Sequence, residues 1–148
     1  MSLQALLDSI PFVAKTGLRC DDYAPGKITL SLLPHSSNMS HAGMIHAGAM
    51  FTLAETAGAA ACATHPELQG YPLSVKSFTM QYHTGTAGLV VARAFVTNEM
   101  ARSVAWGITT TGRADMEVRV ELLDGVGNPV AEFTALYHLR RPPRAGQG

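Results

Sequence analysis

The sequence predicts an α+β domain in which one antiparallel sheet curves against one long helix. An Ala-rich segment over residues 47–64 has the length of about five helical turns, and it ends at His65 and Pro66. Strand-like segments, in which apolar and polar residues alternate, lie before and after it. Neither the strand–helix alternation of a doubly wound fold nor a Gly-rich phosphate loop occurs. These observations favour a single sheet packed against a single helix.

The segments before the long helix are predicted as one short helix and one hairpin. Residues 2–14 begin with leucines at helical spacing and form a short amphipathic helix that stops near Pro11. Residues 18–23 and 27–33 form a hairpin, because an Ala-Pro-Gly turn separates them. A polar connection follows the hairpin and leads into the long helix.

Every segment after the long helix is predicted as a strand. One of them is assigned because Val104, Trp106 and Ile108 alternate with smaller or polar residues. Turn residues at 83–88 and 124–129 separate neighbouring strands. The predicted strands are residues 73–82, 89–97, 104–110, 117–123 and 130–139.

Length and composition predict one domain that associates with copies of itself. The 148 residues provide a single domain over 1–141, and the Pro-, Gly- and Arg-rich tail 142–148 is expected to be disordered. Eleven basic residues balance eleven acidic ones, which argues against nucleic acid as a partner. Charged residues make up 15% and hydrophobic residues 47%, so we expect apolar surface to be covered in a homodimer or a dimer of dimers.

No targeting, membrane or metal motif is recognised. Residues 1–13 lack the basic start of a signal peptide, and the longest apolar run, 47–63, is shorter than a membrane span and contains Glu55. Cys20 and Cys62 are far apart and predicted to be reduced, and no histidine pair has metal-ligand spacing. We expect a cytoplasmic protein with no membrane partner and no metal.

The long helix contains a carboxylate in apolar surroundings. Counting 100° per residue places one apolar stripe towards the sheet, formed by Met50, Leu53, Ala54, Ala57 and Ala61. Glu55 lies among the residues of the other side, which are also small or apolar: Phe51, Thr52, Gly58, Ala59 and Cys62. Such surroundings raise the pKa of a carboxyl group, so Glu55 is a candidate for catalysis. The alternatives are an exposed residue or a partner for Lys or Arg across a subunit interface.

His46 opens the same helix and is followed by Ala47 and Gly48. A helix start presents N–H groups without internal partners, and small side chains allow a substrate carbonyl oxygen to approach them. The pattern therefore predicts an oxyanion site at Ala47 and Gly48. A histidine at this position could instead be a helix cap or a packing residue.

Residues 40–48 read Ser-His-Ala-Gly-Met-Ile-His-Ala-Gly and are followed by Leu53-Ala54-Glu55. This stretch resembles the phenylacetate-pathway (PaaI-like) type of hotdog acyl-CoA thioesterase, in which a carboxylate lies nine residues past the histidine of a His-Gly-Gly motif. The resemblance covers roughly residues 18–139. It implies a hotdog fold and hydrolysis of an acyl-CoA to acid and CoA, with no cofactor beyond the CoA of the substrate. It also implies catalytic roles for Glu55, His46, Ala47 and Gly48.

Three positions depart from the family pattern. Ser40 occupies the place of an Asn or Gln, with Asn38 two residues away, and Ala47 replaces the first Gly of His-Gly-Gly. The segment near residues 98–111 is longer than the usual hairpin, so either Arg102 or Arg113 matches the family's basic turn near CoA. The resemblance implies a substrate-binding set of Ser40, Gly43, Ser77, Arg102 and Arg113.

The spacing of His46 and Glu55 also predicts assembly. Nine residues of helix correspond to about 13 Å of rise and about half a turn of net rotation, so the two side chains of one chain face apart. One reaction can use both only if the helix start of one subunit meets the Glu55 side of another. A site shared across a dimer is therefore expected.

The small residues beside Glu55 predict an aryl- or medium-chain acyl group, with Phe51, Tyr82 and Trp106 as candidate pocket walls. Two other functions remain open at this point. One is a hotdog dehydratase for 3-hydroxyacyl or enoyl thioesters, although no dehydratase motif is present. The other is a non-catalytic acyl-CoA-binding protein. No Gly-x-Ser-x-Gly motif supports a serine nucleophile.

Overall fold

The computed structural model describes residues 2–146. Within them, four α-helices and six β-strands follow in the order α1 (Leu3–Asp8), α2 (Pro11–Ala14), β1 (Arg19–Ala24), β2 (Lys27–Leu32), α3 (Ala47–Thr64), β3 (Leu73–Tyr82), β4 (Val90–Phe95), α4 (Asn98–Thr111), β5 (Arg113–Asp124) and β6 (Pro129–Arg140). Short 3₁₀ helices precede and follow α3 at Ser36–Asn38 and Pro66–Leu68.

All six strands form one antiparallel sheet in the order β1-β2-β4-β5-β6-β3. The inward and outward sides alternate clearly along β5, where Val118 and Val120 are buried while Glu117 and Arg119 are exposed. This alternation is typical of a sheet with one face in the core and one in solvent. β1 and β3 form the two edges of the sheet.

Helix α3 lies against the inner face of the sheet and contacts β2, β4, β5 and β6. Its predicted bounds, 47–64, are confirmed. The predicted sheet-facing stripe is also confirmed, since none of its members is more than 2% exposed: Met50, Leu53, Ala54, Ala57 and Ala61. Alanine side chains allow the helix to approach the strands closely, and the sheet curves around it. The predicted α+β architecture is thus confirmed.

The N-terminal segment forms two helices rather than one. The Ser2 hydroxyl accepts a hydrogen bond from the Ala5 N–H at 3.1 Å and caps α1. Pro11 was expected to end this helix, but it begins α2. Proline is suited to the first helical position because the N–H that it lacks has no partner there. The hairpin of β1 and β2 forms as predicted, and Gly26 takes a φ of +75° in its turn.

The predicted strand at residues 104–110 is wrong, because these residues belong to helix α4. The Thr97 hydroxyl caps α4 by accepting a hydrogen bond from the Met100 N–H at 3.1 Å. Gly112 ends it in the left-handed conformation, with φ +90°, and donates its N–H to the Ile108 carbonyl. Four other predicted strands are confirmed as β3 to β6, and β5 begins four residues earlier than expected.

Residues 141–146 form no helix or strand, and positions 147–148 of the predicted disordered tail lie outside the described residues. Across the described chain, no helix combines the length and the apolar composition that crossing a membrane requires.

Candidate active site

His46 is the N-cap of α3, as one of the sequence interpretations allowed. Its Nδ1 accepts a hydrogen bond from the Gly48 N–H at 2.8 Å, and its carbonyl oxygen accepts from the Ala49 and Met50 N–H groups. An Nδ1 that accepts leaves the proton of a neutral imidazole on Nε2, so the exposed His46 ring can donate outward.

This cap changes the predicted oxyanion site. Of the two N–H groups expected to bind a carbonyl oxygen, that of Gly48 is already bonded to His46 Nδ1. The Ala47 N–H has no acceptor within residues 2–146. Ala47 therefore offers an open donor at the positive end of the helix, whereas Gly48 can contribute only if the imidazole moves.

Hydrogen bonds from three other segments hold the start of α3 in place. The Tyr82 hydroxyl, at the end of β3, donates to the Ala47 carbonyl at 2.8 Å. The His46 N–H donates to the Asn38 carbonyl at 2.8 Å, and the Asn38 side-chain amide donates to the Thr16 carbonyl at 2.7 Å. Asn38 is buried, and its side chain anchors the segment before the helix start.

Ser40 and Gly43 shape the loop in front of the helix. The Ser40 N–H donates to the Met44 carbonyl at 2.7 Å, and the Gly43 N–H donates to the Ser40 carbonyl at 3.1 Å. Gly43 adopts a φ of +74°, which favours glycine at this position. The two residues lie six and three positions before the cap. Their predicted role in substrate binding stays a prediction.

Glu55 is half-buried on the side of α3, and burial raises the pKa of its carboxyl group. Within residues 2–146, no Lys or Arg forms an ion pair with it. The half-buried position agrees with the prediction of a carboxylate held away from solvent, and its catalytic role stays a prediction. One of the alternatives, an exposed residue, is wrong.

An apolar groove of about 340 Å³ begins one turn beyond Glu55. Its walls come from the second half of α3, the segment after it, and the adjacent ends of β3 and β6; they are Ala59, Cys62, Ala63, Leu68, Gln69, Gly70, Tyr71, Leu73 and Leu139. Burial raises the pKa of the Cys62 thiol to about 12, which keeps it neutral. Cys62 therefore contributes apolar surface to the groove rather than a nucleophile.

Four aromatic rings pack beside Glu55 between α3 and the sheet. Phe51 lies 5.4 Å from Phe78 and 5.5 Å from Phe133, and Phe78 lies 6.5 Å from Tyr137, measured between ring centroids. Phe51 packs in this cluster, and its predicted role as a wall of the acyl pocket stays a prediction. Trp106 does not join the cluster, because it lies on α4 with 70% of its surface exposed.

Two tyrosines also bear on the sequence prediction. Tyr82, a predicted pocket wall, bonds to the start of α3 and lines a groove of about 350 Å³ there, together with Ala47 and Met50. Its contact with an acyl group stays a prediction. Tyr137 was not predicted as a site residue, although it lies in a strand whose inward side alternates with polar residues. That alternation was the signal that could have placed it in the core beneath the long helix.

The predicted basic residues lie far from His46 within one chain. Arg102 is exposed on α4, and Arg113 begins β5 beside the end of β6. The Leu73 end of β3 pairs with this end of β6, whereas the Tyr82 end lies at the start of α3. Nine residues of strand span about 30 Å, so Arg113 does not join His46 in one chain. Arg102 lies on α4, which packs beside Pro66–Leu68 at the other end of α3.

Arg113 lines a polar groove of about 460 Å³ on the outer side of the sheet. There, Asp115 accepts a hydrogen bond from Lys76 at 2.8 Å and lies 2.7 Å from His138 Nδ1. These bonds, that of Lys76 first, lower the pKa of the Asp115 carboxyl group. Ser77 is exposed next to this cluster, directly after a bulge in β3. The described residues contain no cluster of three or more potential metal ligands.

Comparison with known protein families assigns the chain to one of them. Residues 2–138 match DUF4442, a domain of unknown function. The chain belongs to the DUF4442 family. No match is found among curated proteins.

Several solved structures are similar to this DUF4442 domain over most of its length. A Pseudomonas aeruginosa protein of unknown function, described as a probable thioesterase, is 32% identical, with a TM-score of 0.86 over 93% of this chain and 92% of that one. A mutant of the phenylacetic acid degradation protein PaaI from Thermus thermophilus is 26% identical, with a TM-score of 0.66 over 88% of this chain and 98% of that one.

A thioesterase from Haemophilus influenzae has a TM-score of 0.77 at 16% identity and covers 99% of this chain and 96% of that one, which shows the shared fold. The fold of the DUF4442 domain is therefore the hotdog fold, and its resemblance to PaaI-like proteins is confirmed.

Proposed function

We propose that this protein is an acyl-CoA thioesterase whose active site is shared between two subunits. The observation that carries the proposal is Glu55, a half-buried carboxylate that forms no ion pair within the described chain. Along α3, Phe51 of the aromatic cluster lies one turn before it and the apolar groove begins one turn after it. The description of the similar Pseudomonas structure as a probable thioesterase supports it.

In the proposed reaction, the thioester carbonyl oxygen accepts a hydrogen bond from the Ala47 N–H at the positive end of α3. Glu55 of the facing subunit activates water or attacks the carbonyl carbon directly. With water, the oxygen adds to the carbon, the carbon–sulfur bond breaks, and the proton taken by Glu55 passes to the CoA thiolate. In direct attack, the carbon–sulfur bond breaks as the carboxylate adds, and water then hydrolyses the anhydride to the acid and free Glu55. His46, whose Nε2 proton faces outward, hydrogen-bonds the thioester. The reaction needs no cofactor beyond the CoA of the substrate.

The free edge of β3 supports a two-subunit site. β3 is ten residues long, has no neighbour on one side within the described sheet, and exposes Leu73, Val75 and Tyr82. Long exposed apolar edges favour pairing with another strand. A two-fold axis at this edge makes the two strands antiparallel, and the two α3 helices with them. Each helix start then points back along the Glu55-bearing helix of its partner.

The test is Glu55→Gln, assayed with a panel of acyl-CoA thioesters and a thiol reagent. We expect turnover to fall by about 100-fold or more, the order expected for loss of a catalytic acid or base. Glu117→Gln makes the same change on the exposed side of β5 and should leave turnover unchanged. Equal turnover in Glu55→Gln and the unmodified protein would disprove the assignment.

The same assay separates the other two functions. A dehydratase would interconvert 3-hydroxyacyl and enoyl thioesters without release of thiol. An acyl-CoA-binding protein would bind the panel and convert none of it. Either result in the unmodified protein would replace the thioesterase proposal.

A further inference from the structure

Tyr137 carries a buried hydroxyl group that has no role in the reaction as proposed above. Its side chain is 0% exposed, and its hydroxyl has no hydrogen-bond partner within residues 2–146. The other rings of the cluster around it are phenylalanines: Phe51, Phe78 and Phe133. A phenylalanine would satisfy the packing at this position without burying an unpaired polar atom. The hydroxyl therefore calls for an explanation beyond packing.

Gly58 makes room for this hydroxyl. A Cβ atom added at Gly58 would lie 3.2 Å from the Tyr137 hydroxyl oxygen, closer than most side chains tolerate. Glycine is unfavourable in the interior of a helix, and an unpaired buried hydroxyl is unfavourable in a core. Both features occur at one point, three residues along α3 from Glu55. Unfavourable features that coincide in this way are typical of functional sites.

Few groups near Tyr137 can accept a hydrogen bond from its hydroxyl. The titratable groups that act on this hydroxyl are Cys62 and Glu55, both on α3. The other atoms that meet it over Gly58 belong to Val120 of β5 and Phe133 of β6, which are apolar. A neutral thiol is a weak acceptor, whereas an ionised carboxylate is a strong one. Glu55 is therefore the better partner.

Helix spacing brings the Tyr137 hydroxyl, which lies over Gly58, within reach of the Glu55 side chain. Cβ atoms three residues apart on a helix are about 5–6 Å apart, and a glutamate side chain can extend across most of that span. In the described conformation the two groups do not bond. A change of side-chain rotamer at Glu55, or one intervening water molecule, would join them.

We propose that Tyr137 is a positioning residue for Glu55, whose ionised carboxylate accepts a hydrogen bond from the Tyr137 hydroxyl, directly or through one water molecule. The proposal rests on the proposed function, because it assigns Glu55 to the reaction. The hydrogen bond orients the carboxylate towards the substrate and favours its ionised form in an apolar site. No bond of the substrate is made or broken by Tyr137.

Tyr137→Phe removes only the hydroxyl, and the first measurement needs no activity. The carboxyl carbons of glutamate are labelled with ¹³C, and the Glu55 resonance is assigned as the one absent from Glu55→Gln. We expect Glu55 to titrate at a higher pH in Tyr137→Phe than in the unmodified protein, because the ionised form has lost a donor. Tyr23→Phe makes the same deletion on β1, at the other edge of the sheet, and should leave the titration unchanged.

The second measurement is the pH dependence of acyl-CoA hydrolysis. In Tyr137→Phe, kcat should fall by about tenfold, and the acidic limb of kcat/KM should move to higher pH. A residue with a packing role alone would leave that limb in place. Circular dichroism and cooperative thermal unfolding of Tyr137→Phe check that the fold is intact.

The two measurements separate the two proposals. If no acyl-CoA is hydrolysed but the Glu55 titration shifts, the proposed function fails and the hydrogen bond stands. If Glu55 titrates identically with and without the Tyr137 hydroxyl, the positioning role is disproved, whatever the activity.

Discussion

At the scale of single residues, the burial of Glu55 makes the stability of the protein depend on pH. Burial raises the pKa of its carboxyl group, so the folded protein holds this proton more tightly than the unfolded chain does. Stability then falls as pH rises through the unfolded pKa towards the folded pKa. This is opposite to a carboxylate whose folded pKa is lowered by a basic partner. An amide of the same shape, which stays neutral, would avoid this loss.

We therefore predict that Glu55→Gln is more stable than the unmodified protein at pH 7, and that the difference vanishes below about pH 4, where the unfolded carboxyl group is also protonated. Urea unfolding at a series of pH values measures it. If the unmodified protein gains stability relative to Glu55→Gln as pH rises, Glu55 is paired with a cation in the assembled protein.

At the scale of elements, α4 shows why a short alternation is a weak signal. Its buried side is spaced by three and four residues, at Ala101, Val104 and Ile108, as a helix requires. The apparent period of two arose because Trp106 separates two of them, yet Trp106 faces solvent. Each of the three threonines at the end of α4 donates its hydroxyl proton to a carbonyl four residues earlier.

His65 connects the end of α3 to the start of α4. It is 2% exposed; its Nε2 lies 2.9 Å from Asn98 Oδ1, and its Nδ1 accepts a hydrogen bond from the Glu67 N–H at 3.2 Å. Both ring nitrogens are thus used, which assigns the proton to Nε2. The ring also packs against Gly26, where an added Cβ would lie 2.7 Å from it.

We predict that His65→Ala lowers the free energy of unfolding by about 2–4 kcal/mol, because it leaves a cavity and two unpaired polar groups. Urea denaturation measures this loss. His83→Ala changes an exposed histidine and should alter stability by less than about 0.5 kcal/mol. A comparable small change in His65→Ala would show that α4 docks without this contact.

At the scale of the whole molecule, the proposed shared site depends on a second copy of the chain, and it is argued from the free edge of β3 and the separation of His46 from Glu55. We predict at least a dimer at micromolar concentration, measured by sedimentation velocity. Val75→Asp places a charge on the β3 edge and should increase the monomer fraction. Val126→Asp, in the exposed turn before β6, is the matched control and should not. A stable monomer that hydrolyses acyl-CoA would contradict the shared site.

Mixing two inactive variants tests the sharing directly. Inactive His46→Ala and Glu55→Gln subunits, unfolded and refolded together in equal amounts, form heterodimers in which one of the two sites has both residues intact. About a quarter of the unmodified activity should return, since half of the dimers are mixed and half of their sites are intact. No recovery, with mixed dimers verified by mass spectrometry, would place both residues in one chain's site or leave one of them without a role.

The groove beyond Glu55 predicts the acyl group. Its volume of about 340 Å³ and its apolar walls give room for a ring or a chain of several carbons. Burying extra methylene groups contributes about 0.8 kcal/mol each. We therefore expect kcat/KM for phenylacetyl-, benzoyl- or hexanoyl-CoA to exceed that for acetyl-CoA by at least about tenfold. A preference for acetyl-CoA would show that the acyl group does not enter this groove.

Most of the fold could be predicted from local patterns. The bounds of α3 follow from an Ala-rich run between a histidine and a His-Pro pair, and β3 and β6 follow from alternation between turn residues. The helix at residues 98–111 could not be predicted, because the β-branched residues of a short segment fit both the two-residue period of a strand and the 3.6-residue period of a helix. Caps at Thr97 and Gly112 were the better signal there.

The sequence by itself determined the long helix, the carboxylate among apolar residues, and the histidine that caps the helix nine residues before it. These features depend on neighbours within a few turns of one helix, and local chemistry is sufficient to predict them. Only the tertiary structure decided that Tyr137 lies over Gly58 and that Arg113 lies at the opposite end of the strands from the helix start. These relations depend on side-chain rotamers and on strand order, which join residues far apart in the chain and leave no periodic trace in it.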